Sequence, residues 1–461
     1  MGEPMTATDR LSARAWALLL VLSGAIFLEG VDISMMGVAL PSMRADLALS
    51  TGELQWVVSS YVLGYGGFVL LGGRAADLLG RRRMFLVMLG VFVVFSGLGG
   101  VATEGWMLGA ARFVTGVAAA FTAPAGLSII TTTYARGPAR DRAVLVYAGA
   151  AAGGFSLGMV VGGLLTALHW RWVFFAPVVL ATVILAAAAA VVPRDGGARR
   201  AGARFDLVGT LLLTVGMSLL ILTVVHAPEV PLAISLLTGA GAVAGLVAFL
   251  AVERRRPEPL LRLGILRVPG VARANLGAMA LVGSFMAFQF SAVLFLQEQL
   301  GWSSIETGLL LAIGGLDAVL APTLAPPLVR RVGNGRVLVA GLGLAAVGYL
   351  GFLPLDGTVS LMAAGLLAIS VAFALAYGPL TLVGTDRAEE SEQGLAGGLM
   401  TMSFQFGGAI GLAVATAAVV SADLRAGIVV AVALAVAGVA VTAPLARHGA
   451  AEPAGVARAA R

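Results

Sequence analysis

The sequence contains no cysteine and no lysine, and its three histidines lie far apart. Without cysteine the chain can form neither a disulfide nor a thiolate metal site, and scattered histidines give no metal-ligand spacing. The absence of lysine excludes the Gly-x-x-x-x-Gly-Lys loop that holds phosphate groups in many ATPases. The sequence also has no paired-histidine motif and no nucleotide-binding fingerprint. We therefore predict that the protein is not an enzyme and holds no metal or other cofactor.

Charge is scarce as well. Charged residues make up 12% of the chain and hydrophobic residues 59%, with a mean hydropathy of +0.97, whereas a soluble domain carries about twice that charged fraction. This composition indicates an integral membrane protein. The 30 basic residues are all arginine and most lie between apolar runs, which favours membrane topology over nucleic-acid binding. The first apolar run is too long for a signal-peptide core, so we expect it to be retained.

A helix needs about 20 mainly apolar residues to cross the hydrocarbon layer of a membrane. Fourteen segments of the sequence meet this requirement. They lie near residues 15–40, 54–73, 84–102, 106–132, 143–167, 171–192, 206–226, 231–252, 271–296, 305–329, 336–354, 358–382, 395–419 and 425–445.

The arginine positions test this count, because basic residues concentrate in cytoplasmic loops. If the N-terminus is cytoplasmic, 26 of the 30 arginines fall on the cytoplasmic side, and one, Arg112, lies inside a span. The three on the outer side are Arg44, Arg171 and Arg425. A miscounted helix in the first half would have destroyed this asymmetry. We therefore predict a multi-pass protein of a bacterial plasma membrane, with both termini cytoplasmic.

The two halves of the chain share a weak internal repeat, which is common among transporters. The matched positions are Ser50 with Ser303, Glu53 with Glu306 and Gly80 with Gly333 at a shift of 253, and Pro124 with Pro379 at a shift of 255. The predicted architecture is all-α: a six-helix bundle over 1–192, a two-helix insert with its linkers over 193–270, a second six-helix bundle over 271–446, and a cytoplasmic tail over 447–461.

The loop after the second span carries glycine and aspartate among its arginines, and residues 73 to 83 read GRAADLLGRRR. Gly73 and Gly80 allow helix ends and a tight turn to approach closely. Asp77 can accept hydrogen bonds from arginines such as Arg81 and Arg82. A loop that only marked topology would need the arginines but not this spacing. We therefore expect a latch that gates the cytoplasmic face.

This loop resembles the signature of the major facilitator superfamily. The stretch DISMMGVALP from Asp32 is similar to the first-helix motif of its fourteen-helix drug:proton antiporter branch, the EmrB/QacA-like multidrug exporters, and RFVTG from Arg112 is similar to a fourth-helix motif. WRWVF from Trp170 and GLAGGLMTMSFQFGGAIG from Gly394 extend the likeness. The resemblance implies two six-helix bundles around a central cavity that opens alternately to either face. It also implies coupling roles for Asp32 and Arg112.

The fifth span carries closely spaced glycines at positions 154, 158, 162 and 163, a pattern that resembles the antiporter motif of the same branch. Gly154, Gly158, Gly162 and Gly163 form a flat strip on which another helix can pack closely and slide, although packing alone also explains such a strip. The chain departs from the family pattern twice. Met159 stands where proline is usual in this motif, and the first-helix pattern does not include Glu29.

Four ionisable residues lie inside predicted spans: Glu29, Asp32, Arg112 and Asp317. Each costs about 2.5–3.5 kcal/mol at a helix centre, so a cavity or proton path is the default interpretation. Glu29 and Asp32 share one helical face, and two close carboxylates in a low-dielectric site do not both ionise easily, which suits a proton carrier. Arg112 can stabilise one of them. The alternatives are a static ion pair for Asp32 and Arg112, and a water pocket between helices for Glu29 and Asp317.

Polar residues of the second half, Gln289, Tyr377 and Gln405, can line the cavity or simply join helices by hydrogen bonds. We predict a monomeric secondary transporter that takes in protons, contacts membrane lipids and exports small lipophilic or amphipathic drugs and antibiotics. The nearest alternative is a specific exporter of one secondary metabolite or amino acid. A sensor without transport activity and a lipid scramblase are further alternatives.

Overall fold

The computed structural model describes residues 12–134, 138–194, 207–226, 230–255, 269–355, 357–385 and 393–448. These residues form α-helices joined by short turns, and no strand occurs among them. The helices are α1 Ala13–Leu47, α2 Thr51–Leu79, α3 Arg81–Gly100, α4 Gly105–Thr133, α5 Pro138–Leu168, α6 Trp172–Val191, α7 Leu207–His226, α8 Leu232–Arg255, α9 Pro269–Leu294, α10 Ser304–Leu311, α11 Asp317–Val332, α12 Asn334–Leu350, α13 Val359–Thr385, α14 Gln393–Ser421 and α15 Leu424–His448.

Thirteen of the fourteen predicted segments each coincide with one helix. The tenth, 305–329, is divided into α10 and α11 by the 3-10 segment Ala312–Leu316, which contains Gly314 and Gly315. Glycine lowers helix stability, so two adjacent glycines favour an interruption at this place. Within the described ranges, eleven helices are long and apolar enough to cross a membrane. The protein is therefore an all-helical, multi-pass membrane protein.

The internal repeat has a structural counterpart at the N-termini of α2 and α10. The Ser50 hydroxyl accepts from the backbone N–H of Glu53, whose carboxylate accepts from the backbone N–H of Ser50. Ser303 and Glu306 form the same reciprocal capping box. Each box satisfies two helix-end donors. The equivalence that the sequence indicates at these positions is thus confirmed.

We expect Ser50→Ala and Ser303→Ala each to lower the free energy of unfolding by about 1 kcal/mol, because each change removes the oxygen that caps a helix N-terminus. Denaturation of the purified protein in mixed detergent micelles measures the change. Threonine at either position keeps the hydroxyl and is the matched control. Equal stability of the alanine and threonine variants would contradict the capping role.

Glycine and proline mark two further equivalent places. Gly80, between α2 and α3, and Gly333, between α11 and α12, have φ of 100° and 87°, a region that side chains other than glycine rarely adopt. Pro124 lies inside α4 and Pro379 inside α13. Proline has no backbone N–H and so removes one helical hydrogen bond at each place.

The described residues form two compact units. The first comprises Met1–Leu260 with Val293–Gly315, and the second comprises Leu261–Ala292 with Leu316–Arg461. In the first unit α1 packs on α5, α2 on α4, and α3 on α4 and α6, while α7 and α8 pair and α7 contacts α2. In the second unit α12 packs on α13 and α15, α11 on α13, and α14 on α15. The tail after His448 and most of the linkers of the predicted insert lie outside the described residues.

Candidate functional site

A buried ion pair joins α1 to α4 in the first unit. Arg112 Nη1 donates to Asp32 Oδ2 at 2.5 Å, and the two side chains are only 2% and 1% exposed. A charge-assisted hydrogen bond of this length is strong, but removing two charges from water is costly. The stability of the pair therefore depends on both groups being charged, because neutralising either partner leaves the other as an uncompensated buried charge.

The pair retains unused bonding capacity. Among the described residues, Asp32 Oδ1 and Arg112 Nε are buried without a hydrogen-bond partner. Buried polar atoms in folded proteins nearly always have one, so such exceptions point to functional sites. The free carboxylate oxygen is an atom at which a proton can be held.

Two tyrosines of α2 surround the arginine. The Arg112 guanidinium carbon lies 4.3 Å from the centroid of the Tyr61 ring, a cation–π contact. The Tyr65 ring stacks on Tyr61 with the centroids 6.2 Å apart. Sequence reasoning missed both residues, although their spacing of four places them on one helical face.

Glu29 has different surroundings from Asp32. It is half-buried, and its carboxylate has the Tyr65 hydroxyl as a hydrogen-bonding neighbour, whereas Arg112 bonds to Asp32. Tyr147 of α5 is close enough to Glu29 for an electrostatic interaction, and its hydroxyl donates to the Ala123 carbonyl at 2.9 Å. The structure thus gives the two acids of α1 separate partners, an arginine for one and a tyrosine for the other.

Three glycines of α5 hold α1 in place. A Cβ atom built on Gly154, Gly158 or Gly162 would lie closer than 3.0 Å to backbone atoms of α1. The facing residues, spaced four apart like the glycines, are Phe27, Val31 and Met35. Only glycine permits this backbone approach. The strip lies directly behind the helical turns that carry Glu29 and Asp32.

The fourth glycine of the strip contacts another helix. Gly163 packs against α10, where the Ser304 hydroxyl donates to its carbonyl oxygen at 3.1 Å. Met159 is buried, and its carbonyl oxygen would lie 2.6 Å from a Cβ on Gly308 of α10. The residue that replaces the usual proline therefore lies in the α5–α10 contact.

Part of the glycine strip of α5, GFSLG from Gly154 to Gly158, matches the G-x-S-x-G sequence motif of a hydrolase nucleophile elbow. That motif needs a sharp strand-to-helix turn to expose its serine. Here the five residues lie inside the continuous helix α5, so the sequence match does not correspond to such an elbow.

The arginine-rich segment predicted as a loop after the second span is helical except at Gly80, because Gly73 lies in α2 and Arg81 and Arg82 lie in α3. This segment contacts α6. Arg82 Nη2 donates to the Ala189 carbonyl at 2.6 Å, near the C-terminus of α6. Gly80 supplies the left-handed turn, and a Cβ on Gly73 would lie 3.9 Å from Pro124 Cβ. The side chain of Asp77 lies outside the described part of the structure, so the predicted latch between Asp77 and Arg81 stays a prediction.

The remaining predicted residues lie in the second unit. Asp317 is the first residue of α11 and is half-buried. Gln289 of α9 is buried, and Gln405 of α14 is half-buried. Tyr377 of α13 is 49% exposed, and its ring stacks on that of Phe404.

The three arginines that break the positive-inside pattern all bind specific partners. Arg44 Nη1 donates to both carboxylate oxygens of Glu298, at 2.7 and 2.9 Å, in the π-helical turn Phe295–Gln299. Arg171 Nη1 donates to the Ala102 carbonyl at 2.7 Å and its guanidinium lies over the Trp170 ring, while Arg425 donates to the Pro354 carbonyl at 3.3 Å. Sequence reasoning did not predict these contacts, although it identified the three arginines as exceptions to the positive-inside pattern.

Comparison with known proteins gives a consistent result. The family model described as Major Facilitator Superfamily matches residues 22–412 and 274–458. The chain is 35% identical to a cephamycin export protein of Amycolatopsis lactamdurans, over 90% of this chain and 87% of that protein. It is 36% identical to a puromycin resistance protein of Streptomyces alboniger, over 87% and 81% of the two chains, and 33% identical to a lincomycin resistance protein of Streptomyces lincolnensis, over 87% and 84%.

Solved structures share the fold at low sequence identity. The peptide transporter family member PepTSo superposes with a TM-score of 0.68 at 15% identity, covering 95% of this chain and 99% of that one. The nucleoside transporter NupG superposes with a TM-score of 0.65 at 12% identity, covering 93% and 99%.

Proposed function

Because the chain belongs to the Major Facilitator Superfamily, we propose that it exports small amphipathic or lipophilic drugs and antibiotics in exchange for protons. The observation that carries the proposal is the buried ion pair between Asp32 and Arg112. The relatives support the direction of transport, since their names describe export of cephamycin and resistance to puromycin and lincomycin.

The coupling step follows from charge balance. In the ionised state Asp32 neutralises Arg112. A proton bound to Asp32 cancels the negative charge, so Arg112 loses its ionised partner while it keeps its contact with the Tyr61 ring, and the contact between α1 and α4 weakens. Release of the proton restores the pair. The titratable groups around it are Glu29 on α1, Tyr61 and Tyr65 on α2, and Tyr147 on α5.

In this proposal the helix that moves is α1, which packs on the glycines of α5. A helix held through backbone contacts on glycines can slide without displacing side chains. The α1–α5 contact is such a surface, and α1 carries the acid that binds the proton. We infer that protonation of Asp32 shifts α1 along α5, which changes the side of the membrane to which the site is open.

The membrane arrangement is part of the same proposal. We infer fourteen spans, formed by two six-helix bundles and the α7–α8 insert, with both termini cytoplasmic, in a monomeric protein of a bacterial plasma membrane. The arginine asymmetry and the repeated capping boxes support it. The segment from Gly73 to Arg83, which joins α2 to α3, is then cytoplasmic, and the Arg44–Glu298 contact is external.

A specific exporter is the second candidate, since the three relatives described above are each named for one antibiotic. The Glu29 carboxylate, absent from the family pattern, favours positively charged compounds in either case. The two candidates differ in how many unrelated compounds one protein moves, and the same transport assay separates them.

We expect a proton movement when substrate crosses reconstituted vesicles. Purified protein is placed in liposomes that contain a pH-sensitive dye, and cephamycin, puromycin, lincomycin or ethidium is added outside. Exchange of compound for internal protons raises the internal pH, and protein-free liposomes are the control. A response to several compounds supports broad export, whereas a response to one supports the specific exporter. Compound movement that is unchanged by a protonophore and leaves the internal pH constant would contradict antiport.

A further inference from the structure

An aromatic pair in the second unit lies partly open. The rings of Tyr377 on α13 and Phe404 on α14 stack nearly parallel, with centroids 4.5 Å apart and planes 9° apart. Phe404 is only 7% exposed and packs into the apolar core between α9, α12 and α13, whereas Tyr377 is 49% exposed. One ring is therefore fixed by the core and supports the other, so that Tyr377 forms a rigid, accessible aromatic surface.

A carboxylate lies beside this surface. Asp317 begins α11, which packs on α13, and it is close enough to Tyr377 to interact with it electrostatically. Asp317 makes no salt bridge to any basic residue that the structure describes. An unneutralised acid at membrane depth faces the protein interior or a water-filled cavity, not lipid. Asp317 therefore borders a polar space, and Tyr377 lies within its electrostatic range.

Gly378, the residue next to Tyr377, is uncovered as well. A Cβ atom built on Gly378 would meet nothing within 4 Å, so the helix surface next to Tyr377 is not covered by another part of the described chain. The half-exposed ring and the uncovered glycine thus lie next to each other on α13, within electrostatic range of the carboxylate. An aromatic ring attracts both flat rings, by stacking, and cations, by its quadrupole.

We propose that Tyr377, supported by Phe404 and flanked by Asp317, binds the flat aromatic and positively charged part of the exported compound. The inference rests on the proposed function and adds the substrate class, which is a planar aromatic cation. Tyr377 supplies the stacking surface and Asp317 the opposite charge. Phe404 is a positioning residue, because it holds the Tyr377 ring without facing the open space.

Three probes separate the two contributions. Ethidium is flat and permanently charged, phenanthridine has the same ring system without the permanent charge, and tetraphenylphosphonium carries a charge without one flat ring system. Binding of each probe to the purified full-length protein in detergent is measured by equilibrium dialysis. This measurement needs neither a proton gradient nor transport.

We expect Tyr377→Leu to weaken binding of ethidium and phenanthridine by about 10-fold and that of tetraphenylphosphonium by less than about 3-fold. We expect Asp317→Asn to weaken binding of both cations by about 10-fold and to leave phenanthridine within about 3-fold. Phe404→Leu should resemble Tyr377→Leu, and Phe404→Tyr, which keeps a ring, should restore most of the affinity. Phe373→Leu, which removes a ring that meets Phe285 edge to face instead, is the matched control.

Wild-type protein that does not bind ethidium would overturn the inference. So would unchanged ethidium binding in Tyr377→Leu, since that result would place the ring against lipid. Equal weakening of all three probes in Tyr377→Leu would also contradict it, because a general loss of structure does not distinguish flat from bulky ligands. If the pattern is as expected but vesicles show no proton exchange, the proton coupling fails and the binding site stands.

Discussion

Replacement of Asp32 by asparagine is expected to lower proton-driven efflux by at least about 100-fold, equivalent to about 2.7 kcal/mol. Asparagine has nearly the shape of aspartate but neither binds nor releases a proton, so the coupling step has no carrier. The change also leaves Arg112 as a buried charge without its partner, and breaking a buried pair in this way costs about 3–5 kcal/mol. Efflux driven by a pH gradient in vesicles measures the first effect, and denaturation measures the second.

The double variant Asp32→Asn with Arg112→Gln distinguishes the two effects. It removes both charges, so it is expected to recover much of the lost stability, as apolar or neutral replacements of buried pairs often do. It is not expected to recover proton-driven efflux. Efflux that returns together with stability would show that the pair is only a structural tie between α1 and α4, and the coupling proposal would fail.

Glu29→Gln is the matched comparison for this experiment. It removes a carboxylate one helical turn from Asp32, but leaves the Asp32–Arg112 pair intact. We expect it to retain proton-driven efflux of neutral compounds and to reduce export of cationic dyes. Export of cationic dyes at the wild-type rate would refute the idea that Glu29 selects for positive charge.

The second large effect is expected from Gly158→Ala. The added methyl group would lie closer than 3.0 Å to the Val31 Cα and carbonyl oxygen and would overlap the Ser34 hydroxyl. Backbone atoms cannot rotate away, so α1 must shift as a whole. Overpacking of this kind costs about 1–3 kcal/mol, and we expect transport to fall more than 10-fold because α1 carries the coupling acid.

Gly153→Ala is the control on the same helix. A Cβ at Gly153 meets nothing within 4 Å, so this change should raise stability by about 0.5–1 kcal/mol, the usual gain when alanine replaces glycine in a helix. The two substitutions therefore have opposite expected signs for the same chemical change. Equal thermal stability and equal transport in both variants would contradict the close contact between α5 and α1.

Much of this fold could be predicted because a membrane imposes simple rules. Apolar length places the helices, and the charge asymmetry is the sequence's own test of how many spans they form. The repeat was detectable because capping boxes need particular residues at fixed spacing, as Ser50 and Glu53 show. The association of Arg112 with an acid of α1 followed from the cost of a lone buried charge, although charge alone did not determine whether Glu29 or Asp32 would be its partner.

Other features depend on contacts that are distant in the sequence. Tyr61 lies over Arg112 because α2 packs on α4, and no local pattern reveals that neighbour. Gly163 looked equivalent to the three glycines before it, yet it contacts α10. The division of the predicted span 305–329 was missed because its hydropathy is continuous, and only Gly314 and Gly315 indicate the interruption.

The contact between α5 and α10 limits how the protein can be divided. The compact unit that contains Asp32 includes Val293–Gly315. In the sequence, this segment is separated from the rest of the first unit by Leu261–Ala292, which belongs to the second unit. A fragment that ends before α9 would lack Ser304 and Gly308, so the surface around Met159 and Gly163 would stay uncovered. We therefore expect the first half of the chain to be less stable without α10 than it is in the full-length protein.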